Sequence, residues 1–375
     1  MLKIGICGGG VGGLVAAIAL LKQGHDVTVF ERARQFGRIG ADINLTPNAV
    51  HALDGLGIGA ALRETAARPH YRISRTWDTG EETSRLEMQG GRYDAPQLTI
   101  HRADLITALS TALPEGVLRL GSSIEKVEPV ESGATVTLAD GSKQSFDLVI
   151  GADGIHSEVR RVLFGEDDPK YTGLVSYRAV FPRERAVDIP NLDSFTKWWG
   201  ASADHQLVVF PLLRGEEVFV FATTPQEAWS EEGWTLPGDI DELRAIYAGF
   251  HPEARAILDC CTEVTRSALH VREPMERWSK GHVTILGDAA HPMVPFMAQG
   301  ATMAIEDGVV LALALAGTDV AGVPAALARY EDARRDRTAR VQRGSLANEW
   351  LKTPENADWV YAYKAWDVFA DDAVA

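Results

Sequence analysis

The sequence predicts an α/β fold: a Rossmann-type dinucleotide-binding domain, discontinuous along the chain, with an inserted antiparallel β-sheet domain and C-terminal helices. Three observations predict it. The chain opens on a short apolar run, residues 2–7, followed at once by Gly8-x-Gly10-x-x-Gly13 and a helical pattern over residues 15–23. Apolar runs at 146–151 and 283–287 then read as further buried parallel strands of the same domain. Between them, residues 170–224 are strand-like throughout, with alternating faces.

Each glycine of the opening loop has a distinct task. Gly8 allows the tight turn, Gly10 lets backbone approach a pyrophosphate, and Gly13 lets the helix pack closely on the strand. The N–H groups at the helix start can hold a diphosphate. The second strand, residues 27–31, ends on Glu31, where an acid accepts from a ribose hydroxyl, with Arg32 beside it. A Gly-rich turn that binds nothing is the alternative reading of the same residues.

Bulk properties narrow the function. The 375 residues suggest two or three modules, and 46% apolar content supports sizeable cores. A net charge of −15 argues against a nucleic-acid or anionic-membrane partner, so any anionic substrate must be drawn in by local Arg, Lys or His. No apolar run approaches the roughly 18 residues of a membrane span, and no signal peptide is read, so a cytoplasmic location is expected. Cys7 reads as a small buried hydrophobe. Cys260-Cys261 reads as a helix-end pair or a redox pair, and the spacing fits no metal site.

The remaining elements follow in order. Residues 36–48 form a Gly-rich loop, with Arg38 free to move with a ligand or simply solvated, and a short helix follows to residue 53. Residues 68–100 carry strands of a second sheet, and a helix runs from His101-Arg102 to about residue 113. Strands at 117–120, 124–129 and 135–138 precede a hairpin turn at 139–142. Three antiparallel strands between 174 and 223 are expected to wall a pocket, and residues 239–260 to form a helix. Long helices at 298–315 and 325–350 lead to an aromatic tail. The expected division is a dinucleotide domain of residues 1–70, 98–165 and 280–350, a sheet domain of 71–97 and 170–279, and a C-terminal tail of 351–375.

Two further motifs accompany the glycine loop: Gly151-Ala152-Asp153-Gly154-Ile155-His156-Ser157-x-x-Arg160, and Gly287-Asp288-Ala289-Ala290-His291-Pro292-x-x-Pro295, continued by Gln299-Gly300 and Glu306-Asp307. Together the three resemble the class A FAD-dependent aromatic monooxygenases over nearly the whole chain. Lys197-Trp198-Trp199, Pro225-x-Glu227-Ala228-Trp229, His291-Pro292-Met293 and Trp359-Val360-Tyr361-x-Tyr363 look most like the 6-hydroxynicotinate 3-monooxygenases, with salicylate hydroxylases a more distant likeness.

The resemblance implies a glutathione-reductase-like FAD-binding domain. It further implies NAD(P)H as a transient electron donor, and a flavin hydroperoxide that delivers oxygen to a hydroxylated aromatic or N-heteroaromatic ring, with or without loss of carboxylate. Asp288 would accept from a ribityl hydroxyl, Gly300 and Ala301 would face the flavin ring or diphosphate, Arg102 would neutralise the diphosphate, and Ile124 would touch adenine. Asp153 would serve both FAD and the nicotinamide cofactor, or only shape a turn. Pro295 would lie beside the reacting carbon.

This chain has Asn44, Val209 and Phe296 where the 6-hydroxynicotinate enzymes have His, Tyr and His, which implies a different and more apolar pocket. If strand alternation holds, His205, Leu207 and Val209 point into it, with Phe221 and Thr223 nearby. His205 is the remaining candidate base, or an exposed strand-end histidine, and His291 reads as structural. The expected partners are a small aromatic substrate and O2, with the protein a monomer or homodimer. An oxidase or epoxidase, or a non-catalytic binder on the same fold, are the competing readings.

Overall fold

The computed structural model describes residues 1–37, 42–89, 91–231, 233 and 235–370. Arg38, named above for the Gly-rich loop, lies outside them. The first sheet has six strands, in the order Ser279–Lys280, Val283–Ile285, Leu148–Gly151, Lys3–Cys7, Asp26–Glu31, Leu118–Leu120. All pairs are parallel except the edge strand Ser279–Lys280. The central strands are covered on both faces, which is why they read as unbroken apolar runs.

One face carries the helix Val11–Lys22, crossed by the helix Gly300–Ala314. The crossing is close because Gly308 has no side chain; a Cβ there would stand 2.8 Å from the Ala16 nitrogen. The other face carries a three-stranded sheet of Ile124–Val130, Gly133–Leu138 and Lys143–Phe146. Its Phe146 lies over Gly5, where a Cβ would meet the ring at 2.9 Å, and edge-on to Phe30.

The second sheet is larger than three strands. It has eight, in the order Leu236–Gly238, Val264–Val271, Lys170–Pro182, Glu217–Pro225, Gln206–Leu212, Phe195–Trp199, Tyr71–Thr76, Glu82–Glu87. Phe195–Trp199 runs parallel to Tyr71–Thr76; every other pair is antiparallel. One face packs Trp198, Leu207, Val209, Val220 and Ala222 against Leu243, Ala254, Ile257 and Leu258. Those partners lie on two helices rather than one, Ile240–Ile246 and Pro252–Asp259. Pro252 can open a helix but cannot continue one, so the helical pattern breaks before it.

The opposite face of the eight-stranded sheet presents Phe195, Val208, Phe210, Phe219 and Phe221 toward Val294 and Phe296. The helix Val323–Ala347 and the tail close one side. Trp350, Val360 and Tyr361 pack with Met88, Tyr93, Met297 and Met303, and the Trp366 indole donates to the Ala52 carbonyl.

A buried ionic cluster joins these parts. The Arg334 guanidinium donates to Glu306 at 2.7 Å and to Asp307 at 2.8 Å, with all three side chains shut off from solvent. Arg337 pairs with Glu306 and also donates to the carbonyls of Trp359 and Val360 in the tail. Asn48 donates to Glu306 at 2.7 Å. Removing one partner from such a cluster strands a charge in low dielectric, so Arg334→Met should cost about 3–5 kcal/mol, read as a lowered urea midpoint. His291 and Arg334 hold the Asp307 carboxyl down to about 2 despite its burial. That value lies below the ordinary aspartate range, so the stabilisation is complete above about pH 4 and is lost as pH falls toward 2. Wild type should therefore lose urea stability between pH 5 and pH 2.5 by roughly 2 kcal/mol more than Asp307→Asn does.

Candidate active site

The glycine loop has the three properties its spacing demands. Gly8 has φ of 112°, and a Cβ there would collide with the Ala152 carbonyl. A Cβ at Gly13 would collide with the Gly8 carbonyl, so helix and strand could not approach. At Gly10 nothing lies within 4 Å of a Cβ position, which leaves a bare face of backbone. The helix starting after Gly10 has no side-chain cap and no acid in its first turn. The helix starting at Gly300-Ala301 also lacks a side-chain cap. Two uncapped N-termini on crossing helices therefore offer backbone N–H groups and positive dipole ends to an anionic ligand.

Glu31 is held in place by backbone N–H groups. Its Oε2 accepts from the Gly9 N–H and its Oε1 from the Ala33 N–H, both at 2.8 Å. Each oxygen keeps acceptor capacity for a hydroxyl. Arg32 beside it is exposed, and Arg102 is exposed at the start of the helix Arg102–Thr111. Ile124 is half-buried at the start of its strand. Asp288 is open to solvent yet surrounded by protein, the mark of a side chain lining a deep cleft. Burial pushes its carboxyl up, and His291 and Arg102 pull the other way. Its turn is fixed from behind, because Asp307 accepts from the Gly287 N–H at 3.0 Å and from His291 at 2.5 Å. His291 is thus committed to structure.

The Asp153 carboxylate accepts from Ser157 Oγ at 2.5 Å and from the N–H groups of Glu158 and Val159 at the start of the helix Glu158–Phe164, which fits the turn-shaping alternative of the two expected for it. Arg160 of the same motif donates to the carbonyls of Ala289 and Ala290 and ties this turn to the Asp288 turn.

Pro295 opens a 3₁₀ turn, Pro295–Met297, and is exposed, while Phe296 is buried against the aromatic face of the eight-stranded sheet. Phe221 belongs to that face. Leu207, Val209 and His205 do not. Val209 pairs with Val220 and Thr196, whereas Val208 pairs with Phe221 and Lys197. The alternation groups Leu207 with Val209 as expected, but their shared face meets the two helices behind the sheet. The His205 ring lies at the strand end, 6.3 Å from the Tyr247 ring on that same side, with Ser202 3.3 Å away, so it is no base for the pocket. Thr223 Oγ1 donates to the Asp204 carbonyl.

Asn44 is buried in the strand Asp42–Leu45. Its Oδ1 accepts from Gln97 Nε2 at 2.7 Å, and its Nδ2 has no partner among the described residues. Cys260 and Cys261 are free thiols, both raised by burial, Cys261 to about 12, which fits the helix-end reading. No metal-holding group of side chains occurs among the described residues, and no described helix is long and apolar enough to cross a membrane.

Three charged groups escaped the sequence reading. Arg72 and Lys197 are buried on the aromatic face of the sheet. Besides its place in the Lys197-Trp198-Trp199 motif, the sequence signal for Lys197 is a charge set among the aromatic residues of the run 195–199. Asp42, paired in register with His101, is raised by burial to about 6 against the opposing pull of Arg178 and His101. Because this value lies above the ordinary aspartate range, the ionised carboxylate costs stability above about pH 6 and nothing below about pH 4. Asp42→Asn should raise the urea midpoint at pH 8 and lose that advantage by about pH 4.

Residues 1–345 match the family model described as FAD binding domain. The chain is 37% identical to 6-hydroxynicotinate 3-monooxygenase of Bordetella bronchiseptica, over 99% of this chain and 97% of the relative. It is 34% identical to salicylate hydroxylase of Pseudomonas putida, over 92% of this chain and 84% of the relative. The solved salicylate hydroxylase substrate complex superposes with a TM-score of 0.82 at 26% identity, covering 100% of this chain and 95% of that one. Matched by the family model over residues 1–345 and 37% identical to a named monooxygenase over nearly its whole length, the chain belongs to the FAD-binding domain family, in its branch of FAD-dependent aromatic monooxygenases.

Proposed function

We propose that this chain hydroxylates a small aromatic or N-heteroaromatic ring that already carries a hydroxyl group, with FAD as resident cofactor and NAD(P)H and O2 as co-substrates. One observation carries the reading. The Asp288 turn, the uncapped helix start at Gly300 and the Pro295–Met297 turn all stand where the first domain meets the aromatic face of the eight-stranded sheet. When bound, FAD accepts electrons from NAD(P)H and activates oxygen for transfer of one atom to the ring.

The protein's own part is to bind, orient and exclude water. Glu31 accepts from the ribose of the cofactor, and the N–H groups after Gly10 hold its diphosphate, with Arg102 nearby as countercharge. Ile124 offers backbone to the adenine. Asp288 accepts from a ribityl hydroxyl. The N–H groups of Gly300 and Ala301 would help hold the flavin ring or diphosphate, where fixed dipoles would stabilise negative charge. Pro295 borders the reacting edge, and Phe296 and Phe221 line the dry side of the substrate space. Asn44, with a free amide donor, is the polar group suited to orient the substrate. The relatives named for 6-hydroxynicotinate, 3-hydroxybenzoate and salicylate all carry names of hydroxylated ring acids, which supports the substrate class.

The purified protein should be yellow. It should consume NAD(P)H and O2 faster when a hydroxylated ring acid is added, with product heavier by one oxygen. Flavin-free protein, or consumption that ignores every added ring, would sink the reading. Asp288→Ala should weaken FAD roughly 10–100-fold, the worth of a hydrogen bond to a charged group. Gly10→Val should abolish tight FAD binding by filling the bare backbone face, with flavin-to-protein ratio after gel filtration as the measurement for both.

A further inference from the structure

We propose that Arg72 and Lys197 form a seat for the carboxylate of an aromatic acid, making this site selective for ring acids over neutral phenols. The inference rests on the aromatic-hydroxylase reading and names its substrate class more narrowly.

Arg72 and Lys197 sit on neighbouring parallel strands, Arg72 beside Phe195 and Lys197 beside Ser74 in the register. They share the face of Phe195, which stacks on Phe210 at 5.1 Å. Lys197 Nζ is 5.8 Å from the centre of the Phe296 ring, the residue after Pro295. The two cations therefore border the space that the substrate reading assigns to the ring.

Both are buried, Arg72 to 8% exposure and Lys197 to 6%. Neither has a carboxylate partner among the described residues. Lys197 donates to Asn348 Oδ1 at 2.7 Å, and Asn348 is held in that orientation because its Nδ2 donates to the Ala203 carbonyl at 2.8 Å. Lys197 otherwise lies over the Trp199 ring. The Arg72 guanidinium lies over two ring faces, Phe195 at 4.1 Å and Tyr361 at 5.8 Å, and its Nη1 has no hydrogen-bond partner among the described residues. The charges that act on Lys197 are those of Arg72 and Lys352, both positive, and burial with this repulsion depresses its ammonium well below the ordinary range. Burial lowers the Arg72 guanidinium too.

The rest of the molecule shows what this chain does with buried cations that serve structure. Arg334 faces Glu306 and Asp307, Arg160 and Arg272 share Asp167, and Arg75 meets Glu253. Acids are plentiful in a chain of net charge −15, yet among the described residues none pairs with Arg72 or Lys197. Buried charges persist when something pairs with them. Here the missing half is an anion from outside. Arg72 with its planar fork suits a carboxylate, and Lys197 supplies a second donor from the flavin side. Phe195, Phe210 and Phe221 supply the apolar wall for the attached ring.

The test uses the FAD-loaded protein and the change in flavin absorbance on titration with 2-, 3- and 4-hydroxybenzoate, with hydroxynicotinates, and with the matching amides. At least one acid should bind roughly 10–100-fold more tightly than its amide. Lys197→Gln and Arg72→Gln should each shrink that preference about tenfold while amide binding stays within about threefold, and Lys197→Arg should recover part of it. Acids and amides binding alike in wild type would overturn the seat without any variant. So would variants that weaken both classes equally, since that is the mark of a damaged fold, and so would an FAD-loaded protein that binds none of the acids. A protein that holds FAD and oxidises NAD(P)H faster with a neutral phenol, ignoring the acids, would refute the seat and leave the hydroxylase reading standing.

Discussion

The two carboxylates of Glu306 and Asp307, neutralised inside the protein by Arg334, Arg337 and His291, set the geometry on which the site depends. They are adjacent residues on one helix, yet they bind in different directions. Asp307 reaches the Gly287 turn, and so positions Asp288. Glu306 reaches Asn48 and both arginines of the next helix, one of which grips the tail. Moving the helix Gly300–Ala314 would unpair several buried charges at once. The cost of that disorder keeps the N–H groups at its start aimed in one direction.

The cleft itself is made by absence as much as by presence. Gly308 lets two helices cross in contact, Gly13 lets helix and strand touch, and Gly10 leaves backbone uncovered. Beside Phe296 stands a sheet face rich in phenylalanine. One wall offers fixed dipoles and acceptors to a charged cofactor; the other offers carbon to a ring. On the proposed reading, the second side would keep water out while the first stabilises charge, the division of labour that oxygen transfer to an aromatic ring requires.

Some of this was legible in the sequence for definite physical reasons. The roles of Gly8, Gly10 and Gly13 follow from sterics local to the loop, so spacing alone announces them. The parallel strands announced themselves by continuous apolar runs, because both their faces are covered. Which face of Gln206–Leu212 meets the pocket was not legible. Alternation groups Leu207 with Val209, but only the partner strands and the two helices behind them say which group turns inward. Asp153 stands in a motif that accompanies ligands, and no local pattern announces that its carboxylate also receives N–H groups of the next helix. Arg72 and Lys197 come together across more than a hundred residues through a parallel pairing that no local pattern encodes.

The docked tail carries a consequence for the order of assembly. Tyr361 stands beside Arg72, Trp366 reaches Ala52, and Arg337 grips the carbonyls of Trp359 and Val360. These residues leave the ribosome after every strand and helix they touch. A nascent chain therefore completes both of its sheets while the wall behind the buried guanidinium is still missing. In order of synthesis, the segment that covers Arg72 comes after both sheets it docks against.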